Sequence, residues 1–152
     1  MKVLNLCFAA LLLTLFSGLL SGAEDAKSKE DLKKLEGNWM MVRMEGGRGD
    51  PKADRGILVD GNKLTFVQNG KETPESFTIT LDATKKPSAI DMQWIGGGKK
   101  GRIAKGIYQL TAKNELTICV NQWGRDERRP TQFTTKAVLG HGDSLYMLKK
   151  IE

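Results

Sequence analysis

The 152-residue chain predicts an all-β protein, a small antiparallel up-and-down β-barrel of eight or nine strands with one short N-terminal helix. Three observations carry this. Beyond Gly37 helical periodicity gives way to short runs of β-branched, aromatic and alternating residues, each bounded by turn residues. The connections are too short for crossover helices, so sequential strands must pair antiparallel. No further helix is available to cover a sheet face, and closure removes the edges such a sheet would expose. A β-sandwich is the rival, but only 46–55 and 124–130 are long enough for its connections.

The elements follow in chain order. Residues 24–29 are small and charged and read as a flexible leader. Ser28 is a candidate N-cap with Asp31 three residues on, and Leu32 and Leu35 share one side of the turns that follow, so a helix is expected over about 28–35, stopping at Gly37. Strands are expected over 39–45, 56–59, 63–68, 76–81, 89–95, 102–110, 115–121, 131–135 and 144–150. Asp60-Gly61-Asn62 is a hairpin signal, Asn69-Gly70 the next turn, and Lys113-Asn114 a later one. The alternation is strict over 76–81, with Phe77, Ile79 and Leu81 on one face.

The first residues have the parts of an export signal: Lys2, an uncharged and mostly apolar run over 3–20, then Ser21-Gly22-Ala23 before the charged Glu24-Asp25. An uncleaved anchor is the alternative, but a spanning helix needs about 20 apolar residues and Ser17-Gly18 interrupts this run. The chain therefore divides into a signal peptide over 1–23, leader and helix over 24–34, and a barrel domain over 35–152. The expected localisation is periplasmic or extracellular, with no stable membrane anchor expected after cleavage. Cleavage removes Cys7 and leaves Cys119, so no intrachain disulfide is possible and the core must hold the domain together. Cys119 lies in an apolar strand-like run, which predicts a buried, inert thiol. The net charge of +6, which falls to +5 on loss of Lys2, is spread over 27–34, 99–105 and 125–129, the first and last interleaved with acids. A nucleic-acid partner would want a basic face with aromatics between the charges and a compartment holding nucleic acid, so none is expected. A monomer is expected.

Few residues of the chain are arranged for chemistry. His141 is the one histidine, in a Gly-His-Gly-Asp turn, and no metal-ligand spacing accompanies it. No serine-hydrolase elbow is present. The run Gly96-Gly97-Gly98-Lys99-Lys100-Gly101 matches Gly-x-Gly-x-x-Gly, yet a strand-like segment follows it where a phosphate site needs a helix. No cofactor or metal is implied. Asp91 sits among residues expected to be buried and needs a cationic partner, for which Arg129 is the candidate. A structural ion pair is the expected role; a hydrolase or isomerase built on Asp91, Tyr108 and Arg129 is the enzymatic alternative.

Gly37-Asn38-Trp39, after a short helix and opening the first strand, resembles the Gly-x-Trp signature of lipocalin-like barrels. Residues 35–39, 85–91, 106–110, 116–119 and 129–133 occur in an order similar to that of a planctomycete-type family of small, mostly uncharacterised exported domains considered lipocalin-like. The resemblance covers about 35–150. It implies a calycin-type barrel whose tryptophan closes one end against the helix, and it implies no firm activity. The chain departs from lipocalins in its shortness, its lack of a disulfide, and in Lys149-Lys150 where those proteins often place an arginine near the tryptophan.

The expected function is that of a non-enzymatic barrel binding a small apolar or amphipathic ligand. The expected lining is Trp39, Met41, Phe66, Phe77, Ile79 and Met92 along the strands, together with Trp94, Tyr108 and Phe133. A barrel this small could instead be filled by these side chains. The alternative is a structural or interaction module contacting a cell-envelope partner or polysaccharide through Trp123, beside Arg125 and Arg128. Cleavage after Ala23 has a simple consequence: thiol titration of the exported, denatured protein should count one cysteine, and two would refute the cleavage.

Overall fold

The computed structural model describes residues 17–46, 54–121, 128–135 and 142–151, and of residues 17–25 only the backbone. One helix, α1 (Ser17–Leu35), precedes eight strands: β1 (Gly37–Glu45), β2 (Arg55–Asp60), β3 (Lys63–Gln68), β4 (Lys71–Asp82), β5 (Ala89–Trp94), β6 (Ile103–Leu110), β7 (Glu115–Val120) and β8 (Ser144–Lys150). Each strand pairs antiparallel with its sequence neighbour, and β8 returns to β1, giving a closed eight-stranded up-and-down barrel. The predicted fold class is the observed one.

Two expected elements are corrected. The helix begins by Ser17 rather than at Ser28. Its residues 23–34 are mostly good helix formers, and Lys27–Asp31 and Glu30–Lys34 form ion pairs one turn apart, at 3.3 and 2.7 Å, so nothing interrupts it at the supposed leader. Ser28 is therefore not an N-cap; its hydroxyl accepts a hydrogen bond from the Ala83 backbone N–H at 3.1 Å, tying α1 to the β4–β5 connection. The predicted strand over 131–135 does not form. Strand β7 pairs directly with β8 from Glu115↔Lys149 to Val120↔Ser144, which leaves no open edge for a ninth strand. Residues 128–135 lie instead as a strap on the outer face.

Side-chain alternation sorts the barrel into inside and outside. Trp39, Ile57, Val59, Leu64, Phe77, Ile79, Ile90, Met92, Trp94, Tyr108, Ile118 and Leu148 belong to one buried inner cluster. Ile107, Cys119 and Leu145 form a second cluster, on the opposite faces of their strands, with Phe133 of the strap and Met147 packed against it. Gly106 points inward where the wall is thin: a Cβ there would meet Val120 Cγ1 at 2.5 Å and the Cys119 carbonyl oxygen at 2.7 Å.

The end of α1 seals one mouth of the barrel. Leu35 is buried and Leu32 packs beside it. The Trp39 indole N–H donates to the Leu35 carbonyl at 2.7 Å. Lys150 lies over the Trp39 ring, its Nζ 5.5 Å from the centroid, and donates to the Lys34 carbonyl at 2.9 Å. Gly37, with φ of 110°, turns the chain from helix into strand in a backbone conformation that would strain a side chain. Inside this seal the Tyr108 hydroxyl donates to Asp31 Oδ2 at 2.7 Å, a buried bond across 77 residues. Burial, reinforced by the Asp31 carboxylate, pushes the Tyr108 phenol well above its ordinary range and keeps it a donor. Tyr108→Phe leaves Asp31 with Lys27 alone and should cost about 1–3 kcal/mol of stability, measured by urea denaturation; an unchanged midpoint would show that the latch contributes nothing.

Candidate functional site

Four aromatic rings divide the inside of the barrel. Tyr146 and Phe66 lie 5.9 Å apart between centroids, Phe66 and Phe77 5.6 Å at near-perpendicular planes, and Phe77 and Trp94 4.7 Å. These are the separations at which aromatic pairs attract. Between this row and the sealed mouth the interior is filled by side chains. On the other side, away from α1, a cavity of about 560 Å³ opens among Met41, Met44, Arg55, Phe66, Glu75 and Tyr146, with Val67, Thr73 and Gly97 on its wall.

The sequence explains why those residues converge. Strand β1 would present Trp39, Met41 and Arg43 inward by simple alternation, but its pairing with β8 slips between Met41 and Arg43. The bulge turns Val42 and Arg43 both outward and brings Met44 in beside Met41. A second slip, between Thr65 and Val67, lets the long β4 bend, so its first half rims the cavity while Phe77 and Ile79 fill the core. Arg55 opens β2 two residues before the inward Ile57, which places a cation on the inner face. The Gly96–Gly101 run joins β5 to the strand β6, and no helix follows it; Gly97 and Gly98 border the cavity.

Of the residues expected to line a ligand, Met41 and Phe66 line this cavity, while Tyr108 and Phe133 border a separate groove of about 810 Å³ beside α1. Trp39, Phe77, Ile79, Met92 and Trp94 are each no more than 3 % exposed and pack the core. Tyr108 belongs to the helix latch. Phe133 lies outside the barrel, because its segment is a strap rather than a strand. Met44, Arg55, Glu75 and Tyr146 were not anticipated. Arg55 and Tyr146 obey the alternation of their own strands and were legible from it; Met44 depends on a bulge that alternation conceals.

The Asp91–Arg129 pair forms, with Arg129 Nη2 2.6 Å from Asp91 Oδ1. It sits on the outer face and both side chains are about one-third exposed, correcting the expectation of a buried carboxylate: Ile90 and Met92 point in, so Asp91 points out. Arg129 Nη1 also donates to the Ile90 and Gly106 carbonyls at 3.1 and 2.6 Å. Arg128 grips the buried Asp143 at 2.8 Å and the Asn121 amide donates to the Arg128 carbonyl at 2.7 Å. These contacts fasten the strap over β6–β8. Tyr108 points inside toward Asp31, so the structure does not bring it together with Asp91 and Arg129. Trp123, Arg125 and His141 lie outside the described residues.

A groove of about 810 Å³ runs between α1, the β4–β5 connection and the β6–β7 turn. It is larger than the cavity at the barrel mouth, and both are open to solvent. Of its four lysines, Lys27, Lys34 and Lys85 are each matched by a carboxylate, Asp31, Glu30 and Asp82. The cavity at the barrel mouth combines apolar Met41, Met44, Phe66 and Val67 with polar Arg55, Gln68, Thr73 and Glu75, and its volume lies in the range of about 300–1,000 Å³ that small-molecule sites occupy. Among the described residues no three His, Cys, Asp or Glu side chains gather as a metal site, and no helix is long and apolar enough to cross a membrane. Comparison with known proteins finds no matching family model, no matching curated protein and no matching solved structure.

Cys119 lies under the strap, its Sγ 3.6 Å from the Thr134 carbonyl. Burial pushes its thiol up to about 11. The folded state thus holds this proton more tightly than the unfolded chain does. The associated stability is complete below the ordinary thiol value of 9.0 and is lost as pH rises through about 11. Iodoacetamide at pH 8 should leave the native thiol unmodified and alkylate it on denaturation; rapid native alkylation would mean the strap does not cover it.

Proposed function

We propose that this protein is an exported, non-enzymatic barrel that holds a small apolar or amphipathic molecule in the cavity away from α1. The observation that carries the reading is that cavity, about 560 Å³ at the mouth of the barrel away from α1, over an aromatic floor. A barrel built only as a scaffold gains stability by filling such a space, since unfilled apolar volume forfeits packing energy. Here the interior is filled at the helix end and left unfilled at the other. The methionines Met41 and Met44 suit the role, because an unbranched thioether adapts to ligands of different shape. Export is supported by residues 1–23, whose charge, apolar run and small residues fit a signal peptide.

A carrier of this kind needs no reactive group in its cavity, only a wall that excludes water and a rim that fixes orientation. Two measurements test the reading. Native mass spectrometry of the purified exported protein should reveal a co-purifying small molecule, or one acquired from a hydrophobic mixture. Met44→Trp should fill the cavity and abolish that binding while leaving the thermal unfolding cooperative. A protein that takes up no apolar molecule from any mixture, before or after the substitution, would refute the reading.

A further inference from the structure

The described arginines differ in how their charges are met. Arg43 has Glu45 at 2.6 Å, Arg128 has Asp143 at 2.8 Å and Arg129 has Asp91 at 2.6 Å. Arg102 is exposed to water. Arg55 is half-buried on the wall of the inner cavity, and no described carboxylate lies within ion-pair distance of it. Its one polar contact among the described residues is from Nη1 to Met44 Sδ at 3.8 Å, a weak acceptor, and its Nε is shut off from solvent with no hydrogen-bond acceptor. A guanidinium partly removed from water without a counterion is costly, and the cost is offset when an anion joins it.

From this we infer that the cavity takes a single-chain amphiphile with an anionic head, a carboxylate held by the Arg55 guanidinium while its apolar tail lies on Phe66, Met41 and Met44. The inference rests on the proposed carrier function and names the chemical class of its ligand. A planar guanidinium matches a carboxylate with two parallel hydrogen bonds, and it cannot lose its charge at any ordinary pH. Tyr146 stands on the same wall; burial holds its phenol protonated, so it repels no anion. Glu75, the one carboxylate bordering the cavity among the described residues, is exposed, so its charge is screened by water. A cationic head would meet Arg55 as a like charge, and a neutral head would leave it unmatched.

The test is a calorimetric titration of the purified protein with three probes of one tail length and different heads: dodecanoate, dodecanol and dodecyltrimethylammonium, each below its micellar concentration. Dodecanoate should bind about 10- to 100-fold more tightly than dodecanol, the span of a charge-assisted hydrogen bond, and the ammonium probe should bind most weakly. Arg55→Met should bring dodecanoate down to the dodecanol affinity and leave dodecanol unchanged. Equal binding of dodecanoate and dodecanol by the unaltered protein would overturn the head-group assignment while leaving the cavity's role intact. Binding of none of the three would overturn both. The series on the unaltered protein decides the matter even where Arg55→Met does not fold.

Discussion

The pairing of β8 with β1 is the interaction on which the rest of the molecule depends. Seven of the eight strand contacts join sequence neighbours, and such local pairings would form in an open, twisted sheet as readily as in a barrel. The eighth joins the first strand of the chain to the last, from Trp39↔Lys150 to Glu45↔Leu145. It carries the largest loop-closure entropy, and it alone turns two equivalent sheet faces into an inside and an outside. Once closed, the wall has one inner surface to fill, and the aromatic and β-branched residues of alternate positions fill it. The same pairing contains the slip after Met41, so closing the barrel and shaping its cavity are one event in the structure.

Closure also makes the two ends unequal. At one end the chain leaves α1 and enters β1 within two residues, so the helix cannot move far from the mouth it covers. Trp39, Lys150 and the Tyr108–Asp31 bond use that proximity, each joining the helix or its last turn to a strand. Every buried polar group named there has a partner, and the packing resembles any well-filled core. The other end holds the departures from that rule: two methionines, a half-buried arginine with no carboxylate partner among the described residues, and space. Local sequence and global fold agree over most of this molecule and disagree around that cavity, which is where function is to be sought.

The outer strap shows how a segment with strand-like composition is diverted. Thr131, Phe133 and Thr135 alternate with polar residues and would suit a sheet edge, but a closed barrel offers none. Phe133 therefore packs on Ile107, Cys119 and Leu145, an apolar outer patch that would otherwise face water. Ion pairs from Arg128 and Arg129 hold the segment at its start. The Asp91–Arg129 pair is thus part of the fastening, and its partial exposure limits what it adds to stability.

The features legible in the sequence were those with a short-range cause. Turn chemistry at Gly61, at Asn69-Gly70 and at Asn114 marked hairpin connections, and strict alternation in β4 named its inner face. The helix end at Gly37 and the contact of Leu35 with the barrel were legible for the same reason. The partnership of Arg129 with Asp91 followed from the need of a carboxylate in an apolar run for a cation, though not its place on the outer face. What tertiary structure alone decided was the number of strands, the side of the wall on which Phe133 and Asp91 fall, the convergence of Met41, Met44, Arg55 and Tyr146, and which end of the barrel is filled. Each of these turns on the register of β8 against β1 and on where a bulge interrupts it. Register between distant strands is set by the total packing of the interior, a sum over the whole chain that no local window contains. The sequence by itself therefore determined that this protein is a barrel of hairpins with a helix at its start, and the closed interior decided where that barrel keeps its space.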